Sequence, residues 1–304
     1  MKQVVGRFAP SPSGRMHLGN LFSAVLAWCS VRAASGTMVL RLEDLDPDRC
    51  RPEYGDAIKD DLRWLGLDWD REQTPQSLRT DAYRQEFKKL ESLGLVYPCY
   101  CTRNELHAVS APHASDGNPI YPGTCRTLTA RQRCEKDRTP CWRVCVPDET
   151  VCFTDGVQGV YAQELQKDCG DFIVRRSDGV YAYQLAVVTD DAAAGVTQVV
   201  RGCDLLPSTP RQLWLQRTLG FAEPEYCHVP LLLAPDGRRL SKREHDLDMG
   251  ELRARYAPQQ LLGLIGYLAG LLEKPSFIRA QELAEAFSWE KIRKENIVIG
   301  SGAL

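Results

Sequence analysis

Long hydrophobic runs are missing from this chain, and so is an excess of charge of either sign. The least polar stretch, residues 261–272, falls short of the roughly 20 residues that a helix needs to cross a bilayer. The opening Met1-Lys2-Gln3-Val4-Val5-Gly6 lacks the apolar core of a signal peptide. A cytoplasmic protein without a membrane partner is therefore expected. Lysine and arginine number 38 against 40 aspartate and glutamate, so the net charge of −2 supplies no overall basic field. Any RNA contact must then come from local patches, for which Arg175-Arg176, Arg211, Arg217 and the Arg238 to Arg243 run are the candidates. Internal repeats and low-complexity tracts are also lacking, which excludes a solenoid or an array. Cysteine, by contrast, is plentiful: the twelve residues read as thiols or metal ligands rather than disulfides in a chain with no secretory segment. The length of 304 residues with 43% hydrophobic residues suits a globular protein of about two domains.

The first twenty residues carry the strongest local signal. Val4-Val5-Gly6-Arg7-Phe8 reads as a buried strand, and Leu18, Leu21, Phe22, Val25, Leu26 and Cys29 recur at the spacing of an amphipathic helix over 17–34. Between them lies Pro10-Ser11-Pro12-Ser13-Gly14-Arg15-Met16-His17-Leu18-Gly19-Asn20. Unpaired backbone N–H groups and the positive end of the dipole at such a helix start favour a polyphosphate. His17 stands where it can donate to a phosphate oxygen, and Gly19 leaves room for a flat base on the helix. Far along the chain, Val229-Pro230-Leu231-Leu232-Leu233 and the turn Pro235-Asp236-Gly237 lead into a basic loop, Arg238-Arg239-Leu240-Ser241-Lys242-Arg243. Taken singly, these features are a capped helix and a solvated turn.

Paired in this order, they resemble the class I aminoacyl-tRNA synthetases, whose signatures are His-Ile-Gly-His and Lys-Met-Ser-Lys-Ser. Here Asn20 stands in place of the last histidine, and Arg239 and Arg243 replace the outer lysine and serine. Arg7 to Gly14, Leu40-Arg41-Leu42-Glu43-Asp44-Leu45-Asp46, Tyr183 to Asp191 and Val199 to Leu206 narrow the resemblance to the glutamyl branch. That resemblance implies an α/β fold, a Rossmann-like parallel-sheet catalytic domain, and two-step acyl transfer. Glutamate attacks the α-phosphorus of ATP, and an RNA hydroxyl then takes the acyl group. His17 and Lys242 would serve the reacting phosphates, with Mg²⁺ arriving on ATP. Pro10, Ser11, His17, Gly19, Asn20, Leu240, Ser241 and Lys242 would hold ATP. Arg7, Ala9, Ser11, Glu43, Tyr183 and Arg201 would hold L-glutamate: arginine forks suit its carboxylates, Glu43 its ammonium.

The alternation of strand 4–8, helix 17–34, strand 38–43 and helices near 53–66 and 80–93 independently suggests a parallel sheet with helices on its faces. Residues 98–145 break this pattern with several Pro and Gly and little apolar periodicity, so a loop-rich insertion needing a staple is expected. The insertion resembles the zinc module of a truncated paralogue of the glutamyl enzyme, which implies one structural Zn²⁺ on Cys99, Cys101, Tyr121 and Cys125. By generic chemistry His107 or His113 is the more usual fourth ligand, and Cys134, Cys141 and Cys145 are alternatives. Regular structure is expected to resume at Gly170, with Ser177-Asp178-Gly179 turning a hairpin into Val180 to Tyr183, and with a helix from Ser208 to Leu219. The expected organisation is residues 1–97 as the first catalytic half, 98–145 as the zinc insertion, 146–243 as the second half ending in the Lys242 loop, and 244–304 as a helical subdomain with no anticodon-binding domain. A monomer is expected. The paralogue resemblance implies transfer of glutamate, activated without tRNA, to the cyclopentenediol of queuosine at the wobble position of tRNA(Asp). Two alternatives stay open: a glutamyl-tRNA synthetase acting on the tRNA 3′ end, and an inactive tRNA-binding paralogue.

Overall fold

The structure is a computed structural model that describes residues 3–102, 105, 120–238, 240 and 247–300. Its centre is a parallel sheet built from β1 (Val5–Phe8), β2 (Thr37–Arg41), β3 (Arg71–Gln73), β9 (Gln198–Gly202) and β10 (Glu225–Val229). Their order across the sheet is β10-β9-β1-β2-β3. The chain runs outward from β1 in one direction to β3, then returns on the other side as β9 and β10. Ligands of such sheets bind beyond the carboxyl ends of the strands, at the point where the order reverses. Here that point is the β1–β9 seam.

Helices cover both faces. On one lies α1 (Leu18–Ala33). The sequence suggests an amphipathic helix, but from Ala24 to Val31 every residue of α1 is buried. The reason is that α1 is sandwiched: it packs on β1 and β9, and its other side meets two late helices, α8 (Pro258–Ala269) and α9 (Ala280–Glu285). A helix apolar all round belongs inside. Gly6 permits the close approach to the sheet, since a Cβ there would lie 2.3 Å from Val31 Cγ2. On the opposite face are α3 (Thr80–Ser92), α5 (Tyr183–Ala194) and α6 (Thr209–Leu219), joined in a second core around Tyr83, Leu185 and Leu215. The helix α2 (Pro52–Trp64) completes the first face through Ile58 and Leu62.

Several elements differ from the sequence expectations. The segment between 145 and 170 is not irregular: β6 (Thr150–Asp155) and β7 (Gly159–Glu164) form an antiparallel hairpin. Its period-2 burial at Val151, Phe153 and Asp155 is short and interrupted by polar residues, so it stands out poorly in sequence. The insertion is also less loop-like than its composition suggests. It is rooted in a three-stranded sheet of β4 (Val96–Cys99), β5 (Cys141–Val144) and β8 (Phe172–Arg175), and contains a short α4 (Ala130–Cys134). Tyr183 does not close a hairpin. A single bridge, Arg175 to Tyr181, forms there, and Tyr183 opens α5. The remaining elements, β11 (Leu232–Leu233), α7 (Met249–Arg255) and β12 (Ile297–Val298), join the face of α1, with β12 pairing in parallel on β11.

Candidate active site

At the amino end of α1, His17 is the N-cap. Its Nδ1 accepts the Gly19 N–H at 3.1 Å, and the Asn20 side chain accepts the His17 N–H at 3.4 Å. With Nδ1 used as an acceptor, the ring carries its proton on Nε2. Gly19 has a reason beyond an open helix face: a Cβ there would sit 3.0 Å from His17 Cε1. Asn20, where the family signature has histidine, completes the cap.

The described residues on either side of 241–246 pack into the core of α1 or bond its start. The turn over 234–238 is closed by Ala234 N–H to Arg238 O at 2.8 Å, and Leu240 is buried in the α1 core. On the far side, the Leu18 N–H bonds Leu247 O at 3.1 Å, and the Met249 N–H bonds Met16 O at 2.9 Å. Ser241 and Lys242 lie outside the described residues.

Beside the helix start, the Glu43 N–H donates to Pro10 O at 3.0 Å, which draws the end of β2 to the turn after β1. A cleft of about 300 Å³ opens there, lined by Ser11, Glu43, Gln76, Arg176 and Tyr183 among others. Its floor is a buried ion network. Arg41, wholly buried, reaches Asp191 Oδ1 at 2.7 Å and Glu43 Oε1 at 3.1 Å. Arg7 stands 3.6 Å from Asp191 Oδ1 and donates to Val200 O at 3.1 Å. Asp190 takes Arg79 Nε at 2.6 Å, Gln76 at 2.8 Å and the Tyr83 hydroxyl at 2.8 Å. Burial raises the Glu43 carboxyl above its ordinary range despite the pull of Arg41 and Arg7. Burial likewise raises Tyr183, whose hydroxyl feels the charges of Arg201, Glu43, Arg7 and Asp191. Ser11, Glu43 and Tyr183 thus share one cleft, with Arg7 and Arg201 behind it on the sheet and Ala9 at the end of β1.

Arg201 is held from three sides. Its Nε donates to His228 Nε2 at 3.0 Å, its Nη2 to Thr209 Oγ1 at 2.9 Å, and its guanidinium lies 5.2 Å from the centre of the Tyr226 ring. Its Nη1 is buried and, among the described residues, has no hydrogen-bond partner. A buried, unpaired guanidinium N–H is costly unless a ligand completes it, so it is a natural seat for a carboxylate oxygen. Sequence reading missed Arg41, Asp190, Asp191, Asp155 and His228. The available signal was charge inside apolar segments, as in Val39-Leu40-Arg41 and Val187-Val188-Thr189-Asp190-Asp191.

In the insertion, the sulfurs of Cys99, Cys101 and Cys125 lie within 4.8 Å of one another. Cys101 Sγ is 3.6 Å from Cys125 Sγ, and Tyr121 Oη is 3.4 Å from Cys99 Sγ and 3.8 Å from Cys101 Sγ. Tetrahedral ligands with metal–sulfur bonds near 2.3 Å stand about 3.8 Å apart, so this donor set fits a single ion. A hydrogen bond from Cys141, together with Tyr121 and Arg143, pulls the Cys99 thiol down to about 4 against the effect of burial. Among the described residues Cys134 and Cys145 are not part of the cluster; His107 and His113 lie outside those residues. Four of the RNA candidates are otherwise engaged: Arg211 is buried, Arg217 forms a fork with Glu223 at 2.8 and 3.1 Å, Arg176 pairs with Asp178 at 2.6 Å and Arg238 with Asp236 at 3.1 Å.

Residues 3–300 match the family described as tRNA synthetases class I (E and Q), catalytic domain. The chain is 46% identical to the glutamyl-Q tRNA(Asp) synthetase of Symbiobacterium thermophilum, over 97% of this chain and 96% of that protein. It is 50% identical to the protein of the same name from Nitratidesulfovibrio vulgaris, over 90% and 88%. A glutamate tRNA ligase from Elizabethkingia meningosepticum, solved with its amino acid, superposes with a TM-score of 0.84 at 24% identity, covering 99% of this chain and 68% of that one.

Proposed function

The chain belongs to the class I tRNA synthetases of the E and Q type, and within them to the glutamyl-Q tRNA(Asp) synthetases. From that membership we propose that this enzyme activates glutamate with ATP, without needing tRNA, and transfers it to the cyclopentenediol of queuosine at the wobble position of tRNA(Asp). Identity spread over 96% of the length of a glutamyl-Q tRNA(Asp) synthetase supports the acceptor. For the amino acid, the support is Arg201 Nη1, buried and without a partner among the described residues, near a cleft lined by Glu43 and Tyr183.

In this reading the Arg201 and Arg7 guanidiniums take carboxylate oxygens, Glu43 takes the ammonium, and Tyr183 donates its hydroxyl. The ATP phosphates, with their Mg²⁺, lie at the start of α1, near Pro10, Ser11 and Asn20, with the base against Gly19. His17 donates from Nε2 and Lys242 adds a point charge as pyrophosphate departs. The protein thereby works by positioning and by stabilising developing charge, with no covalent enzyme intermediate. On either side of residues 241–246, Leu240 packs in the core of α1 and Leu247 accepts the Leu18 N–H at its start. One structural Zn²⁺ on Cys99, Cys101, Tyr121 and Cys125 braces the insertion, and the catalytic halves 1–97 and 146–243 enclose it in sequence.

The acceptor is tested by charging bulk tRNA from queuosine-replete and queuosine-deficient cells with labelled glutamate, then trimming the 3′ terminal nucleotides. Label should appear only on replete RNA and survive trimming. Label lost with the 3′ end, or equal on both RNAs, means a glutamyl-tRNA synthetase. No ATP–pyrophosphate exchange with glutamate, with or without tRNA, leaves an inactive tRNA-binding protein.

A further inference from the structure

Behind Arg201 runs a chain of three buried groups that crosses from the sheet to the β6–β7 hairpin. Arg201 on β9 and His228 on β10 are direct register partners. His228 is fully buried; its Nε2 accepts from Arg201 Nε at 3.0 Å and its Nδ1 lies 2.6 Å from Asp155 Oδ2 at the end of β6. Arg201 has only donors to offer. The ring must therefore present a lone pair at Nε2 and carry its proton on Nδ1, which is the tautomer that a carboxylate at Asp155 demands.

We propose that Asp155 and His228 are positioning residues for glutamate recognition: Asp155 fixes the Nδ1–H tautomer of His228, and the Nε2 lone pair so formed turns Arg201 to aim Nη1 at a carboxylate of glutamate. The proposal rests on the reading of Arg201 as a carboxylate partner. Burial keeps His228 neutral, lowering it to about 4, so the acceptor persists at neutral pH.

Asp155 offers an unusually sharp test because its two oxygens have different tasks. Oδ1 accepts backbone N–H groups from Val157 at 3.0 Å, Gln158 at 2.9 Å and His228 at 3.0 Å, the last shared with Oδ2 at 3.2 Å. In Asp155→Asn these three donors hold the amide oxygen at the Oδ1 position, so the NH₂ replaces Oδ2. It then donates to Nδ1 and the ring proton moves to Nε2, where Thr209 Oγ1 at 3.3 Å can accept it while the Arg201 Nε–H loses its acceptor.

Steady-state adenylate formation should show a KM for glutamate raised about tenfold or more in Asp155→Asn, the cost of one unmet buried donor, with kcat and the KM for ATP near those of the unaltered enzyme. The ¹⁵N-edited imidazole spectrum should show His228 as the Nδ1–H form in the unaltered enzyme and the Nε2–H form in the variant. A second pair does not depend on Asp155→Asn folding. In His228→Gln the amide stands at the Nε2 position and keeps an acceptor for Arg201; in His228→Asn it stands at Nδ1 and does not. The asparagine variant should raise the KM for glutamate and the glutamine variant should largely spare it. Arg201→Lys separates the two levels of inference. An unchanged KM for glutamate in Arg201→Lys overturns the reading of Arg201 itself. A raised KM there, with Asp155→Asn and His228→Asn both unchanged, overturns the positioning role alone, as does an Nε2–H tautomer in the unaltered enzyme.

Discussion

At the scale of single residues, His17 caps α1 through Nδ1, worth about 1 kcal/mol to the helix, and in the proposed reading it also donates from Nε2 to the phosphates. His17→Asn retains a capping side chain without that donor, so its melting temperature should match the unaltered protein while kcat for adenylate formation falls. Lys242→Ala should lower kcat in the same way, each by roughly 2–4 kcal/mol if it resembles one oxyanion-type donor, with ATP affinity changed far less. Rapid-quench measurement of adenylate formation checks both, and wild-type turnover in either variant would remove that residue from the mechanism. The cap at His17 was readable in the sequence because a helix start is built from neighbours. Arg201 was readable too, but not its partners.

At the scale of elements, the insertion is tied down twice: by the cysteine cluster and by Asp171. Asp171 accepts Arg126 Nε at 2.9 Å and Nη2 at 2.5 Å, the Val146 N–H at 2.9 Å and the Tyr97 hydroxyl, while its carbonyl takes Arg143 Nη1 at 2.7 Å. Arg143 also reaches Cys99 Sγ at 3.3 Å and lies 3.9 Å from the Tyr121 ring centre. The Asp171 anchor belongs to the β4–β5–β8 sheet and not to the metal. Chelation should therefore loosen the insertion between β4 and β5 while β4, β5 and β8 themselves and the distant β1–β9 seam persist. Hydrogen exchange should rise across the insertion and stay low in β1 and β9, and ATP–pyrophosphate exchange with glutamate should largely survive. Loss of exchange activity on chelation would mean that the insertion reaches the active site. The sequence exposed the cysteines through their density. It hid the Asp171 anchor, because a lone aspartate after a glycine looks like a turn residue.

At the scale of the whole molecule, the late helices α8 and α9 share the core of α1, so the site and the carboxyl-terminal segment are stabilised together. Buried charge then makes stability depend on pH. His228 falls from an ordinary 6.5 to about 4, chiefly by burial and also by the charges of Arg201 and Arg7, with Asp155 acting the other way. The unfolded chain binds the extra proton between those values, so stability conferred by the neutral ring is complete above pH ~6.5 and is lost as pH falls toward ~4. The full shift corresponds to roughly 3 kcal/mol. Asp155, held below its usual range by His228 and backbone N–H groups despite burial, adds its own loss only at lower pH. Chemical denaturation from pH 7 to 4 should show this decline, and His228→Gln should flatten it. A curve for His228→Gln parallel to that of the unaltered protein would place the titration elsewhere.

The sequence by itself determined what local chemistry encodes: the strand, turn and helix start at His17, the parallel-sheet class, and the family motifs in which Arg7, Glu43 and Tyr183 stand. The cysteine cluster belongs with them. Each rests on residues near one another in the chain, or on a motif whose order survives without coordinates. Tertiary structure decided what depends on burial and on distant partners. It made α1 an interior helix, put Tyr183 at the start of α5, and drew Arg41 into a wholly buried network with Asp190 and Asp191. It also joined Asp155 to His228 across 73 positions of sequence. An aspartate or histidine read in sequence has the same side chain whether it is solvated or enclosed, and only packing removes the water that would otherwise satisfy it.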